Sequence, residues 1–264
     1  MAKSAVTPNT NTAMAKLSDA DQLANLDPEL LKQLEADAGV GVSDREEDRI
    51  QAWVKVLHQQ SPELNPRDPD YVTDAKPGDI WIKSQNLLID GEDGFTFQQC
   101  AYQLRWVEWP GMPGSGGQPI ARFEEKPRDY TFGGMTTDEG HQIIETSYHL
   151  GIVYVKSRDP FPATISFAST GRAVSQTWTN IQHHKKLPNG KMAPAYLHLY
   201  HLKTIERTND KGRWYLLDPK DAGIASAEQI KLGQDVTRQI LDRKLQMGEG
   251  EGSPGVDRDP GATM

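Results

Sequence analysis

The sequence predicts a mainly β (α+β) fold: a small barrel-like sheet with flanking helices and disordered termini. Three observations carry that expectation. Runs with strand alternation fill residues 79–220, among them FTFQQCAYQLRWVEW, HQIIETSYHLGIVYV, ATISFA and AYLHLYHLKTI. Turn-rich segments such as DGEDG, KLPNGKMAP and RTNDKG separate these runs. The shortage of apolar residues behind the mean hydropathy of −0.65 is concentrated at the two ends, which leaves the middle able to bury a core.

Taken in order, residues 1–16 are polar and low in complexity and are expected to be disordered, within a flexible acidic arm spanning 1–44. LDPELLKQLEAD predicts a short amphipathic helix, with Asp27 as N-cap, Pro28 at the first helical position, and Leu30, Leu31 and Leu34 on one side. The next stretch has two readings. Ser43 and Glu46 form a capping-box pattern and Ile50, Trp53, Val54 and Leu57 follow helical spacing, yet Ile50, Ala52, Val54 and Val56 alternate as a strand would. SPELNPRDPDYVTDAKPGD is loop. DIWI and NLLI read as strands, followed by the long run in which Tyr102, Leu104, Trp106 and Glu108 share one face while Arg105, Val107 and Trp109 take the other. PGMPGSGGQP suits a hairpin connection and lacks the Lys-Ser/Thr ending of a phosphate loop. HQIIETSYHLGIVYV reads as another hairpin or β-meander, with Ile143, Ile144, Tyr148, Leu150, Ile152 and Tyr154 as core candidates.

Residues 161–220 stand apart in charge. They carry six Lys and three Arg against three acidic side chains, inside a chain of net charge −8. The flanks are acidic, with five basic against ten acidic residues over 1–50, ten against sixteen over 51–160, and five against eight over 221–264. A protein of that charge attracts a polyanion only through a locally positive face, because screening confines the field to about 10 Å. Trp178, Trp214, Tyr196, Tyr200, Tyr215 and four His are threaded through the same positive stretch, a mixture suited to phosphates and stackable bases.

Inside this stretch ATISFA is a strand, and Val174, Trp178 and Ile181 form the apolar stripe of a helix, which assigns Trp178 to the core. AYLHLYHLKTI alternates, with Leu197 and Leu199 on one face and Tyr196, His198 and Tyr200 on the other. If the Leu face is buried, the two Tyr rings stand outward about 13 Å apart, the reach of two extended nucleotides; the inverse arrangement buries the rings. RTNDKG closes a hairpin onto RWYLL. A strand, a helix and a hairpin with a basic, aromatic outer face fit an OB-like small barrel over 45–220. A C-terminal amphipathic helix over 221–247 presents Ile230, Val236, Ile240, Leu241 and Leu245, against either its own domain or a second copy, before a disordered tail over 248–264.

Catalytic chemistry finds little support. Adjacent His183 and His184 diverge on a helix, His198 and His201 fall on opposite faces of a strand, and no metal ligand set is expected. Cys100 has no local activator and reads as a core thiol, and no GxSxG elbow is present. The chain is expected to be a non-enzyme without cofactor. A single cysteine fits a reducing compartment, no run of about 18 apolar residues crosses a membrane, and the N-terminus lacks a secretory h-region, so the expected location is cytoplasmic.

SPELNPRDPDYVTDAKPGDIW, YQLRWVEW and the block PATISFASTGRAVSQTW through YHLKTIERTNDKGRWY resemble a family of tailed-bacteriophage single-stranded DNA-binding proteins, over roughly residues 50–220. The resemblance implies an OB-like fold, which favours the strand reading of residues 50–57, and a role in coating single-stranded DNA during phage replication or recombination. The implied partners are single-stranded DNA and phage replication or recombination proteins, and the apolar stripe of the C-terminal helix adds a second copy of the chain as a candidate partner. The tail GEGEGSPGVDRDPGATM departs from the familiar pattern, lacking a dense acidic run with an apolar tip. A virion or assembly protein and a host-directed binding protein are the competing readings. The candidate DNA-binding residues are Arg172, Lys185, Lys186, Lys191, Tyr196, His198, Tyr200, Lys203, Arg207, Lys211, Arg213 and Trp214.

Overall fold

The computed structural model describes residues 27–36, 52–110, 119–131, 134–156, 158–210 and 212–242. The expectations for residues 1–26 and 243–264 with Leu245, for Ser43, Glu46 and Ile50, for the 111–118 loop and for Lys211 lie outside these residues. The chain divides into two units, 1–44 and 45–264. In the first, helix α1 (Pro28–Ala36) starts where the Asp27 carboxylate accepts hydrogen bonds from the Glu29 and Leu30 amides, at 2.9 and 3.3 Å. Those amides are among the four that a helix start leaves without a backbone partner.

The second unit is mainly β. Its strands are β1 (Ala52–Val56), β2 (Ile80–Ile82), β3 (Leu87–Ile89), β4 (Phe95–Trp109), β5 (Ala121–Phe123), β6 (Met135–Thr136), β7 (Gln142–Val155), β8 (Arg158–Ala168), β9 (His198–Asn209) and β10 (Gly212–Ile224). Hydrogen bonding orders them β10-β9-β4-β7-β8-β1-β2-β3, with β5 added to β4 and β6 to β7. The β1–β8 pair is parallel and the other pairs are antiparallel. The hairpin or meander expected within HQIIETSYHLGIVYV is instead the single strand β7, because β4 and β8 pair along its two edges. Residues 52–56 are therefore strand: Ala52 and Val54 are buried, and Ala52, Trp53 and Val54 stand opposite Ala163, Thr164 and Ile165 of β8.

Register shifts between Gln99 and Ala101, Val153 and Val155, and Asp221 and Gly223 add local twist to the long strands. Close approach is permitted at Gly151, where a Cβ would fall 2.2 Å from the Gln98 carbonyl oxygen and 2.6 Å from the Phe97 ring. The sheet curls into a half-barrel. Its inner face gathers Ile80, Ile82, Leu87 and Ile89 from one end of the path and Leu217 from the other into a single cluster with Phe95, Phe97, Val153 and Ile165. Bonds between the ends hold the curl, with the Thr204 amide donating to Gly91 O at 2.9 Å and the Tyr215 amide to His58 Nδ1 at 3.4 Å.

Two helices cover the two faces. α2 (Gly171–His183) fills the inner face with Trp178, which is fully buried, while Val174 and Ile181 pack against the same cluster, as their spacing predicts. α3 (Ala227–Leu241) begins at a reciprocal cap between Ser226 and Gln229, which sequence reading missed. It lays Val236 and Ile240 on the opposite face, among Cys100, Val107, Trp109, Tyr148, Leu150 and Ile152. This helix thus docks on its own domain. Two details depart from the expected stripe: Leu241 is 73% exposed, and β10 runs on to Ile224 before the helix begins. The curl is compatible with the OB-like expectation, although an eight-strand path exceeds the five strands of that barrel.

Candidate nucleic-acid interface

The β9–β10 hairpin sorts its side chains by strand alternation. Tyr200 and Leu202 point into the inner cluster, so His201, Lys203, Ile205 and Arg207 belong to the other face. Directly opposed residues of an antiparallel pair share a face, which adds Trp214 (opposite Arg207), Leu216 (opposite Ile205), Asp218 (opposite Lys203) and Lys220 (opposite His201). Lys203, Arg207 and Lys220 are exposed, and Lys220 reaches Asp218 at 3.0 Å. Trp214 is half-buried, with its indole Nε1 shielded and without a hydrogen-bond partner. Arg213 is exposed on the inner-face side of the tip, 3.7 Å from Glu206.

A second basic group lies where α2 ends. Lys186 and Lys191 are exposed around a turn closed by the Leu187 amide donating to Lys191 O at 2.9 Å. Lys185 is drawn to Asp221 of β10 in a close ion pair, and its hydrogen bond holds the Asp221 carboxyl below the usual range. His198 is half-buried beside them. Burial first, and then the Lys185 charge, lowers its pKa, so it is an uncharged neighbour at neutral pH.

The remaining candidates are placed elsewhere. Arg172 is not on the positive surface; its guanidinium turns inward to Glu145 and to Ser147 Oγ, the latter at 2.8 Å. Tyr200 does not face outward. It is fully buried, edge-on to Trp178 at 5.3 Å between ring centroids, and burial pushes its hydroxyl up to about 12. Tyr196 does not share its face either. It sits in a 3-10 turn (Ala195–Leu197) ahead of the strand and packs beneath α3, where a Cβ on Gly233 would fall 2.8 Å from its own Cβ. The strand begins one residue after the turn, so the alternation assumed from Tyr196 onward does not hold.

The structure also assembles a polar relay that no local spacing announced. His149 on β7 pairs its Nδ1 with Gln99 Oε1 at 2.6 Å and its Nε2 with Ser175 Oγ at 2.8 Å. That order imitates a nucleophile–base–orienter set, but Gln99, His149 and Ser175 are each at most 1% exposed, so no substrate reaches the hydroxyl. Burial, with Arg172 adding to it, lowers the His149 pKa to about 3 and keeps the ring neutral. The relay is a buried pin between α2, β4 and β7. Cys100 is likewise buried, its thiol pushed up to about 12.

A family model described as Pam3 phage gp34-like protein matches residues 20–246. The chain belongs to the Pam3 phage gp34-like family. No curated protein and no solved structure matches it. The phage origin that the sequence suggested is thereby shown at the level of the family, whose description names no DNA-binding activity. Among the described residues of this gp34-like chain, no helix is long and apolar enough to cross a membrane.

Proposed function

We propose that this gp34-like phage protein is a sequence-tolerant single-stranded DNA-binding protein that acts in phage DNA replication or recombination and catalyses no reaction. The observation that supports this reading is the register of the β9–β10 hairpin, which sets Arg207 directly beside Trp214 on a face that also carries exposed Lys203 and Lys220. Cations neutralise phosphates and release counterions, while an indole stacks on any base, so neither term reads sequence. Lys203 and Arg207 stand four residues apart, about 13 Å along a strand, which spans about two extended nucleotides. The exposed Lys186 and Lys191 near the end of α2 offer further phosphate contacts.

Titration of the full chain against a labelled oligothymidine and a matched duplex, each at two salt concentrations, tests the proposal. Tighter binding to the single strand, weakening with salt and weakened further in Lys203→Ala/Arg207→Ala, is the expected result. These two residues are exposed, so their removal leaves the fold intact. Absence of binding at low salt, or equal affinity in the double variant, overturns it.

A further inference from the structure

Glu108, Glu139 and His141 converge at the end of β4 opposite the Phe95–Gln98 segment that pairs with β9. We propose that they form a binding site for a divalent transition cation of the Zn2+ or Mn2+ class. One ligand atom of each residue lies within 4.8 Å of the others. Metal–ligand bonds of about 2.0–2.2 Å put tetrahedral ligands about 3.4 Å apart, so small side-chain rotations close the set around an ion.

The three residues arrive from two elements far apart in sequence, Glu108 from β4 and Glu139 with His141 from the turn before β7, so tertiary structure brings them together. Glu108 lies on β4 between β5, where it faces Ala121, and β7, where it faces Ile143. Glu139 and His141 come from the turn that enters β7. There the Thr137 amide donates to His141 O at 2.9 Å and the His141 amide to Thr137 Oγ1 at 3.2 Å. His141 Nδ1 stands 2.8 Å from Glu108 Oε1.

Charge supplies the second argument. The Glu108 side chain is 14% exposed, so its carboxylate has shed most of its water and gains one imidazole nitrogen in exchange. Glu139 approaches the same point from the solvent side, adding a second carboxylate to a region whose net charge is already negative. A divalent cation neutralises both carboxylates. One nitrogen and two carboxylates favour a borderline transition ion over Mg2+ or Ca2+, which prefer oxygen throughout. Three protein ligands leave an open position for water, the arrangement of a site that exchanges ligands.

Equilibrium dialysis of the full chain against ZnCl2 or MnCl2 in a non-chelating buffer, with the thermal midpoint read in parallel, tests the proposal. One equivalent bound, a raised midpoint, and at least a tenfold loss of affinity in both Glu139→Gln and His141→Ala are the expected results. His183→Ala/His184→Ala is expected to bind as the parent does. No saturable binding, binding unchanged in the two site variants, loss confined to the His183/His184 variant, or equal affinity for Mg2+ each overturns it. Glu139 is exposed, so its variant folds and the test stays decisive.

Discussion

His149 and Trp178 lie face to face, with ring centroids 4.3 Å apart and planes within 2° of parallel. The contact joins β7 to α2, and Phe167 meets both rings edge-on at 5.3 and 6.3 Å. A neutral imidazole fits such an apolar stack, whereas an imidazolium there gives up its hydration with no carboxylate against it. The two nitrogens are spent on Gln99 and Ser175.

This fixes a pH dependence. The folded pKa of about 3 lies below the ordinary 6.5, so below that ordinary value the unfolded chain binds the proton first. The stability held at neutral pH is lost as pH falls from about 6.5 towards 3, with a slope of up to about 1.4 kcal/mol per pH unit from this group. Denaturant midpoints measured across that window should fall for the parent and fall less steeply for His149→Gln. Parallel curves for the two proteins would remove His149 as the cause.

Tyr200 is a core residue, and its replacement should report stability. Tyr200→Ala empties a site packed against Trp178 and should cost about 3–5 kcal/mol in urea unfolding, the range for deleting a large buried aromatic. Affinity for single-stranded DNA, expressed per folded molecule, should stay at the parental value. A loss of affinity at unchanged stability would return Tyr200 to the binding face.

The contrast between Trp178 and Tyr200 shows what the sequence can express. Val174, Trp178 and Ile181 sit on one helix, so their shared face is a matter of spacing alone, and the assignment to the core holds. Tyr196 and Tyr200 follow the same kind of rule only if one strand contains both. The 3-10 turn at Ala195–Leu197 breaks the period, and which face of β9 is inner depends on its pairing with Phe95 to Gln98 of β4, about a hundred residues earlier. Arg172 illustrates a second limit. Its charge was legible, but Glu145, which neutralises it, comes from a different strand. Gln99, His149 and Ser175 meet through three separate elements, as do Glu108 and His141 through two, and no short window of sequence contains either group. The strand reading of residues 52–56 was undecidable locally for the same reason, since β8 supplies the partner.

α3 covers Cys100, and the thiol can therefore report on the helix. Thr237 Oγ1 bonds the Cys100 carbonyl at 3.3 Å, and Val236 and Ile240 share its cluster. A buried thiol held up to about 12 is almost wholly protonated at pH 8 and out of reach of reagents. Ellman's reagent should leave the native chain unmodified for hours and label it in denaturant. Gly233→Leu places a side chain where even a Cβ comes within 2.7 Å of Gln98 Nε2 and 2.8 Å of Tyr196 Cβ, so it should lift the helix and speed labelling. Rapid labelling of the parent would show that α3 is not held on the sheet.

The salt dependence of DNA binding separates cations that face solvent from those spent inside the fold. Lys203 and Arg207 stand exposed on the outer hairpin face, so each phosphate contact they make on a single strand contributes about 0.7 to the slope of log affinity against log salt. Lys203→Ala/Arg207→Ala should therefore flatten that slope by about 1.4. Arg172→Ala should behave differently. It leaves Glu145 without its ion pair and Ser147 Oγ with Tyr102 as its remaining partner, which should cost about 1–3 kcal/mol of stability while the slope stays parental. If Arg172→Ala flattened the slope and the hairpin pair did not, the binding face would have to lie along the start of α2, and the hairpin would be a structural edge of the sheet.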